Sequence, residues 1–129
     1  MTIAFISHPD CAAYAAGAEH PDVPARLGAI QDQLLSTGLD VALRHYDAPL
    51  ATREQLCRAH VAAYVDGVFG AAAGEGADVG PQLLNAALRA AGAAVLAVDL
   101  VLSGRSTSAF CSVRPPGHHA EHDRGMGFC

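Results

Sequence analysis

The sequence predicts an α/β layered fold, on three observations. Short apolar runs of strand length alternate with helical segments in the order strand, loop, helix, strand, two helices, strand, which argues for helices laid on an at least partly parallel sheet. The chain is rich in Ala and Gly and has no Trp, 4 Phe and 3 Tyr, a composition suited to helices packed close on a sheet rather than to a core of large side chains. The last apolar run, Thr107 to Val113, is followed by Arg114-Pro115-Pro116-Gly117, which a strand cannot continue through. Whatever follows stands at a strand's carboxyl end, where open α/β sheets bind ligands.

In chain order, Ile3-Ala4-Phe5-Ile6 ends at Ser7-His8-Pro9 and reads as the first buried strand. From Asp10 to Val23, Gly17, His20 and Pro21 interrupt any clean helical period, leaving a loop with a short alanine-rich turn at Cys11 to Ala16. Pro24 suits the first turn of a helix because the amide hydrogen it lacks would be unpaired there, and Asp22 just ahead is a plausible cap. The helix runs from about Ala25 to Ser36, with Leu27, Ile30, Gln31 and Leu34 as its inward stripe, and Gly38 ends it. Val41 to Tyr46 alternates Val41, Leu43 and His45 against Ala42, Arg44 and Tyr46, a second strand with one more exposed face.

Thr52 and Gln55 stand at capping-box spacing and open a helix leading through Leu56, Ala59 and His60 to Val61, Tyr64, Val65 and Val68. His60 and Tyr64, four apart, share a helix face and are assigned to structure. Ala71 to Gly80, with Gly74, Gly76 and Gly80, is the stretch predicted to be most flexible. Pro81 starts a long helix to about Leu102, with a wide apolar stripe of Leu83, Leu84, Ala87, Leu88, Ala91, Val95, Val98 and Leu102. Ala90-Ala91-Gly92-Ala93-Ala94 within it permits close backbone approach to the sheet, and Gly104 ends it before the final strand.

At 129 residues, 51% hydrophobic and 16% charged, the chain fits one domain by length. A net charge of −5 gives no electrostatic footprint for nucleic acid or an anionic membrane, while leaving cationic substrates compatible. Cys11, Cys57, Cys111 and Cys129 form no Cys-x-x-Cys pair or zinc-knuckle spacing and read as reduced thiols. Thr2 to Ile6 is too short for a signal-peptide core, and no uninterrupted apolar run is expected to approach bilayer length, so the cytoplasm is the default location.

The chemistry concentrates in Arg114 to Cys129. His118 and His119 stand side by side, and imidazoles in different surroundings can divide acid and base roles near neutral pH, which suits acyl transfer or hydrolysis. An isolated His-His pair is most simply a polar turn. Pro-Pro-Gly before it and Met-Gly-Phe-Cys after it impose backbone and apolar requirements that a solvated turn does not need. His118, His119 and His122 also include a His-x-x-x-His spacing, but the prolines argue against the helix that would stack those residues on one face.

Arg114-Pro-Pro-Gly-His-His-Ala120, followed by Gly127-Phe-Cys129, resembles the signature of the zinc-dependent histone deacetylase superfamily, which includes acetylpolyamine amidohydrolases and acetoin-utilisation proteins. His20-Pro-Asp-x-Pro-x-Arg-Leu27 is similar to that family's early His-Pro-Glu-x-Pro-x-Arg-Leu segment, with Asp22 in place of Glu. The resemblance implies that His118 and His119 are the catalytic dyad beside a metal-bound water, and that Gly127 and Phe128 line the tunnel gripping the acyl chain. It implies that Arg26 lies in the inner cavity, where it helps hold or expel the acetate product. An arginine on a helix's first turn is poorly placed for the macrodipole, which favours an anionic partner, although an ordinary solvated arginine is the alternative. Asp78 is the positional candidate for a rim aspartate that holds the substrate backbone; a solvated loop carboxylate is the alternative.

By the same resemblance the fold is the amino-terminal part of an arginase-like three-layer α/β/α domain with a mainly parallel sheet, and residues 1–129 form a single, incomplete deacetylase-like domain. The family draws its zinc ligands from an Asp-x-His motif and a further Asp, which are expected downstream of Cys129 together with an oxyanion-stabilising Tyr, so no metal ligand is assigned within this chain. Zinc would lower the pKa of its water to about 7 and polarise the carbonyl. The implied reaction removes acetyl or acyl groups from an acyl-lysine peptide or an acetylated polyamine, with this chain inactive alone. Two other classes stay open. One is a non-catalytic module that pairs with a carboxyl-terminal portion, another partner or its own copy through an exposed strand edge; the other is a small metal-binding protein using the histidine cluster.

Overall fold

Three five-residue strands, β1 (Ile3–Ser7), β2 (Leu43–Asp47) and β3 (Ser108–Ser112), make a wholly parallel sheet in the order β2-β1-β3. The computed structural model describes residues 1–15, 20–73, 80–127 and 129. Between the strands lie α1 (Ala25–Ser36), α2 (Arg53–Leu56), α3 (Ala62–Ala73) and α4 (Pro81–Leu102), with short 3-10 turns at Pro9–Ala12 and Leu39–Ala42. Ser7 pairs in register with Asp47 on one side and Ser112 on the other, so all three strands end level. The loops leaving them, and with them the Arg114 motif, emerge at one edge of the molecule.

Pleating sends alternate residues of β1 to opposite faces. Ala4 and Ile6 face α4 and join Ala48, Ala93 and Leu100 in a fully buried cluster, with Tyr46, Leu96, Ala97, Ala109 and Cys111 packed around it. Phe5 faces the other way, stacked on Phe110 at 5.9 Å and tilted against His45 at 5.2 Å. The predicted α/β class with a parallel sheet therefore holds.

Several boundaries differ from expectation. Val41 belongs to the second 3-10 turn and is 91% exposed, so the strand begins two residues later than the alternation suggested. The helix from Thr52 is two helices. Its capping box forms both ways, with the Gln55 amide donating to Thr52 Oγ1 at 3.2 Å and the Thr52 amide to Gln55 Oε1 at 2.9 Å. The run then breaks because the Val61 amide donates to the His122 carbonyl, and α3 starts beyond it. Residues 71–73 of the stretch expected to be flexible are helical.

The inward stripe of α1 is correctly placed but only partly covered, and the helix has no fully buried residue. On α4 the predicted stripe needs correction: Val98 and Leu102 are exposed, and the buried line includes Ala86, Gly92, Ala93 and Leu100. Small residues set this line, because they let backbones approach. A Cβ on Gly92 would collide with the Pro49 carbonyl, and the Ala51 amide donates to the Leu88 carbonyl at 2.9 Å, so the close approach is to the β2–α2 loop. With 22 residues and a mean hydropathy of 1.6 over an 18-residue window, α4 also has the length and composition to cross a membrane, although Gln82, Asn85, Arg89 and Asp99 interrupt it, so that it holds no uninterrupted apolar run of that length. Here it is the sheet's covering helix, and Arg89 on it bonds Asp10 at 3.0 Å and the Ala48 carbonyl at 2.8 Å.

Candidate active site

Beyond β3 the motif begins with a fully buried arginine. Arg114 has no exposed area, and every nitrogen of its guanidinium is engaged: Nε donates to Asp22 Oδ1 at 3.2 Å, Nη1 to the carbonyls of Cys11 at 2.8 Å and Tyr14 at 2.9 Å, and Nη2 to the Asp22 carbonyl at 3.0 Å. The Tyr14 ring lies under the guanidinium at 3.9 Å, and its hydroxyl donates to Asp22 Oδ2 at 2.8 Å. A buried charge is tolerated only when paired and hydrogen-bonded, and this one is both. Burial, then the hydrogen bond to Asp22, pushes the Tyr14 phenol well above its ordinary pKa; burial likewise raises the Cys11 thiol. Asp22 thus ties the loop after β1 to the strand that delivers the motif and does not cap α1 as expected: the N-cap is Pro24, with no side-chain cap hydrogen bond, because the Asp22 carboxylate is taken by Arg114 and Tyr14.

The Arg114–Pro115 peptide bond is cis, and Gly117 closes a turn through the Ala120 amide at 3.1 Å. His118 and His119 follow, both exposed, with ring centroids 4.1 Å apart and planes at 74°. The structure therefore brings the two predicted site histidines together at the carboxyl edge of the sheet. The chain beyond them is fastened to the start of α3. Val61 donates to the His122 carbonyl at 2.9 Å, His122 Nδ1 lies 2.7 Å from the Ala59 carbonyl, and His60 Nδ1 lies 2.9 Å from that of Glu121. His60 also meets Tyr64 edge-on at 5.2 Å, in keeping with the structural role assigned to that pair.

Beside the motif is a cavity of about 430 Å³, lined mainly by apolar residues of α3 and α4 and by Val113, Pro115, Pro116, Gly117, Ala120 and Cys129. Arg26 lines it too, half-exposed, donating to the Val113 carbonyl at 2.8 Å and lying 3.9 Å from Asp22. The residue expected in an inner channel thus borders a cavity, held by a backbone carbonyl. Gly127 adopts φ 59°, a left-handed conformation that favours glycine, in a turn where Met126 and Cys129 exchange backbone hydrogen bonds at 3.1 Å. Asp78 and Phe128 lie outside the described residues.

Sequence reasoning missed two things. One is the Arg114–Asp22–Tyr14 network, for which the only signal was a buried-strand context around an arginine. The other is Cys129, whose ligand atom lies with those of His118 and His119 in a group spanning no more than 4.8 Å. His122, bonded to Ala59, is not in that group. The zinc implied by the resemblance calls for carboxylate and imidazole ligands. The group found among the described residues has two imidazoles, one thiol and no carboxylate, so the residues present do not fit that ligand set.

Comparison with known proteins accounts for this geometry. Residues 20–129 match the histone deacetylase domain model. The chain is 37% identical over 123 residues to a histone deacetylase-like amidohydrolase of Pseudomonas aeruginosa, covering 91% of this chain and 32% of that protein. It is 31% identical over 145 residues to the polyamine deacetylase HDAC10 of Homo sapiens, covering all of this chain and 22% of that protein. The crystal structure of the HDA15 HD domain superposes with a TM-score of 0.86 at 28% identity, over 99% of this chain and 39% of that one. The chain thus spans between about a fifth and two-fifths of the length of these relatives. The domain match extends over most of its residues, and the chain belongs to the histone deacetylase family.

Proposed function

We propose that this chain contributes the proton-transfer dyad of a deacetylase-like amide hydrolase that removes acyl groups from acyl-lysine peptides or acetylated polyamines. The observation that carries this reading is the pair His118–His119, rings 4.1 Å apart, at the carboxyl edge of a parallel sheet and next to a mainly apolar cavity. The names of the relatives, among them an amidohydrolase and a polyamine deacetylase, support the substrate class.

The tasks left to this chain's own residues are positional and acid–base. One imidazole accepts a proton from the attacking water as the amide carbonyl is attacked; the other delivers one to the departing amine nitrogen, a division worth about 10²–10⁴-fold in rate. Gly127 and Phe128 would border the acyl chain, Asp78 would hold the substrate backbone, and Arg26 would offer its cation to the carboxylate product. Zinc, on this reading, is held by residues outside these 129, in a larger domain of which this chain is the amino-terminal part. The cytoplasm suits its unpaired cysteines.

A second reading has its own support. Val98, Val101, Leu102 and Phe110 are exposed on α4 and β3, which fits a module that packs against further polypeptide. Hydrolysis of an acetyl-lysine peptide, measured for the chain alone and after mixing with the carboxyl-terminal two-thirds of a relative's domain, separates the two. Hydrolysis only in the mixture supports the dyad proposal. A stable, inactive assembly supports the partner-binding module.

A further inference from the structure

We propose that His60 and His122 are positioning residues for the dyad: each ring reaches a backbone carbonyl of the other's segment, and together they hold the turn that carries His118 and His119. What the dyad does rests on the hydrolase reading; how it is held does not.

The Ala120 amide donates to the Gly117 carbonyl at 3.1 Å, so the two histidines are the central residues of a tight turn. Where their rings point follows from how that turn is set. Among the described residues none after Ser112 lies in a helix or strand, and residues 117–119 and 121–127 are exposed, so packing gives the turn little support. It has to be held at its two ends.

The leading end is held by Arg114, buried and bonded four residues ahead of His118. The trailing end is held by residues 59–61, just before α3. His60 Nδ1 lies 2.9 Å from the Glu121 carbonyl, His122 Nδ1 lies 2.7 Å from the Ala59 carbonyl, and the Val61 amide donates to the His122 carbonyl at 2.9 Å. A carbonyl oxygen only accepts, so each Nδ1 carries the hydrogen and donates. Tyr64 steadies His60 edge-on at 5.2 Å, and its hydroxyl stands so near the loop that a Cβ on Gly125 would meet it at 3.0 Å.

Proton transfer depends on such restraint, because displacing a catalytic group by about 1 Å can cost about 10²-fold in rate. A turn fastened at Arg114 alone can swing about that root. His122 acts through the Ala59 backbone and does not border the cavity, so its loss lowers kcat and leaves KM as it was.

The test is the nuclear magnetic resonance spectrum of the 129-residue chain with ¹⁵N-labelled histidines, together with kcat and KM for an acetyl-lysine peptide in the completed domain. In His122→Ala the ring signals of His118 and His119 shift and broaden, and kcat falls about 10-fold or more at an unchanged KM. His122→Asn restores both, because its amide nitrogen stands as many bonds from Cβ as Nδ1 does and donates to the same carbonyl; His122→Gln, one bond longer, does not. His60→Ala and His60→Asn give the same pair of spectral outcomes. Gly92→Ala, which strains the scaffold at the Pro49 carbonyl, leaves the ring signals in place, so lowered stability alone does not mimic the effect. Ring signals unmoved in His122→Ala, or displaced as much in His122→Asn, overturn the proposal, as does a parent kcat in His122→Ala where His118→Ala is impaired. Failure of the hydrolase reading shows separately, as parent-rate hydrolysis in His118→Ala and His119→Ala while the ring signals still answer to His122.

Discussion

Arg114 and His118 are four residues apart in one motif, yet they live under opposite conditions. The arginine has no exposed area and donates four hydrogen bonds to residues of the loop after β1, while the histidine is exposed and rests against its neighbouring imidazole. The difference separates two tasks along a few residues of chain. The root of the motif fixes where the strand tip lies, and the tip keeps its two imidazoles exposed.

The largest expected effect breaks the root. Arg114→Ala takes the buried, hydrogen-bonded cation from the Asp22 carboxylate, which is 6% exposed, and leaves only the half-exposed Arg26 at 3.9 Å, at a cost of about 3–5 kcal/mol. That is a large share of the roughly 5–15 kcal/mol that holds a domain together, and urea denaturation should find the variant largely unfolded. Tyr14→Phe is milder, removing one hydrogen bond to a charged acceptor for about 1.5–3 kcal/mol. It also carries a pH signature. The folded chain raises the Tyr14 pKa and so holds its proton more tightly than the unfolded chain does. Its contribution is complete below the ordinary tyrosine value near 10 and is lost as pH rises towards the folded-state value. Stability of the parent chain should therefore fall above about pH 10 with a component that the phenylalanine variant lacks.

Gly92→Ala probes the scaffold away from both ends. Its added methyl meets the Pro49 carbonyl, and an overpacking cost of about 1–3 kcal/mol should appear as a lowered denaturation midpoint. The smallest effects on stability belong to the tip: His118→Ala and His119→Ala should each leave unfolding free energy within about 0.5 kcal/mol of the parent. A tip substitution as damaging as Tyr14→Phe would erase the division between root and tip.

Much of this organisation was legible in the sequence because local chemistry dictated it. The prolines and glycine after Val113 forced the strand to end, the Thr52–Gln55 capping box formed as its spacing required, and Pro81 opened α4. The pairing of His118 with His119 at the sheet's carboxyl edge followed from the same local rules. What could not be read depended on contacts distant in sequence. Arg114 meets Asp22 across 92 residues, and Cys129 joins the histidines through a turn whose shape depends on Gly127. The face of α4 that meets the sheet was misjudged because the helix is apolar nearly all round, and the choice fell to Ala86, Gly92 and Ala93, which carry no strong hydrophobic signal.

On the proposed function, the two imidazoles carry protons for amide hydrolysis. That role is tested most directly by the rate of acetyl-lysine peptide hydrolysis in a completed domain bearing His118→Ala or His119→Ala, with denaturation followed in parallel. The prediction is a fall of about 10²-fold or more for each variant at an unchanged denaturation midpoint. Hydrolysis at the parent rate in both variants would contradict it.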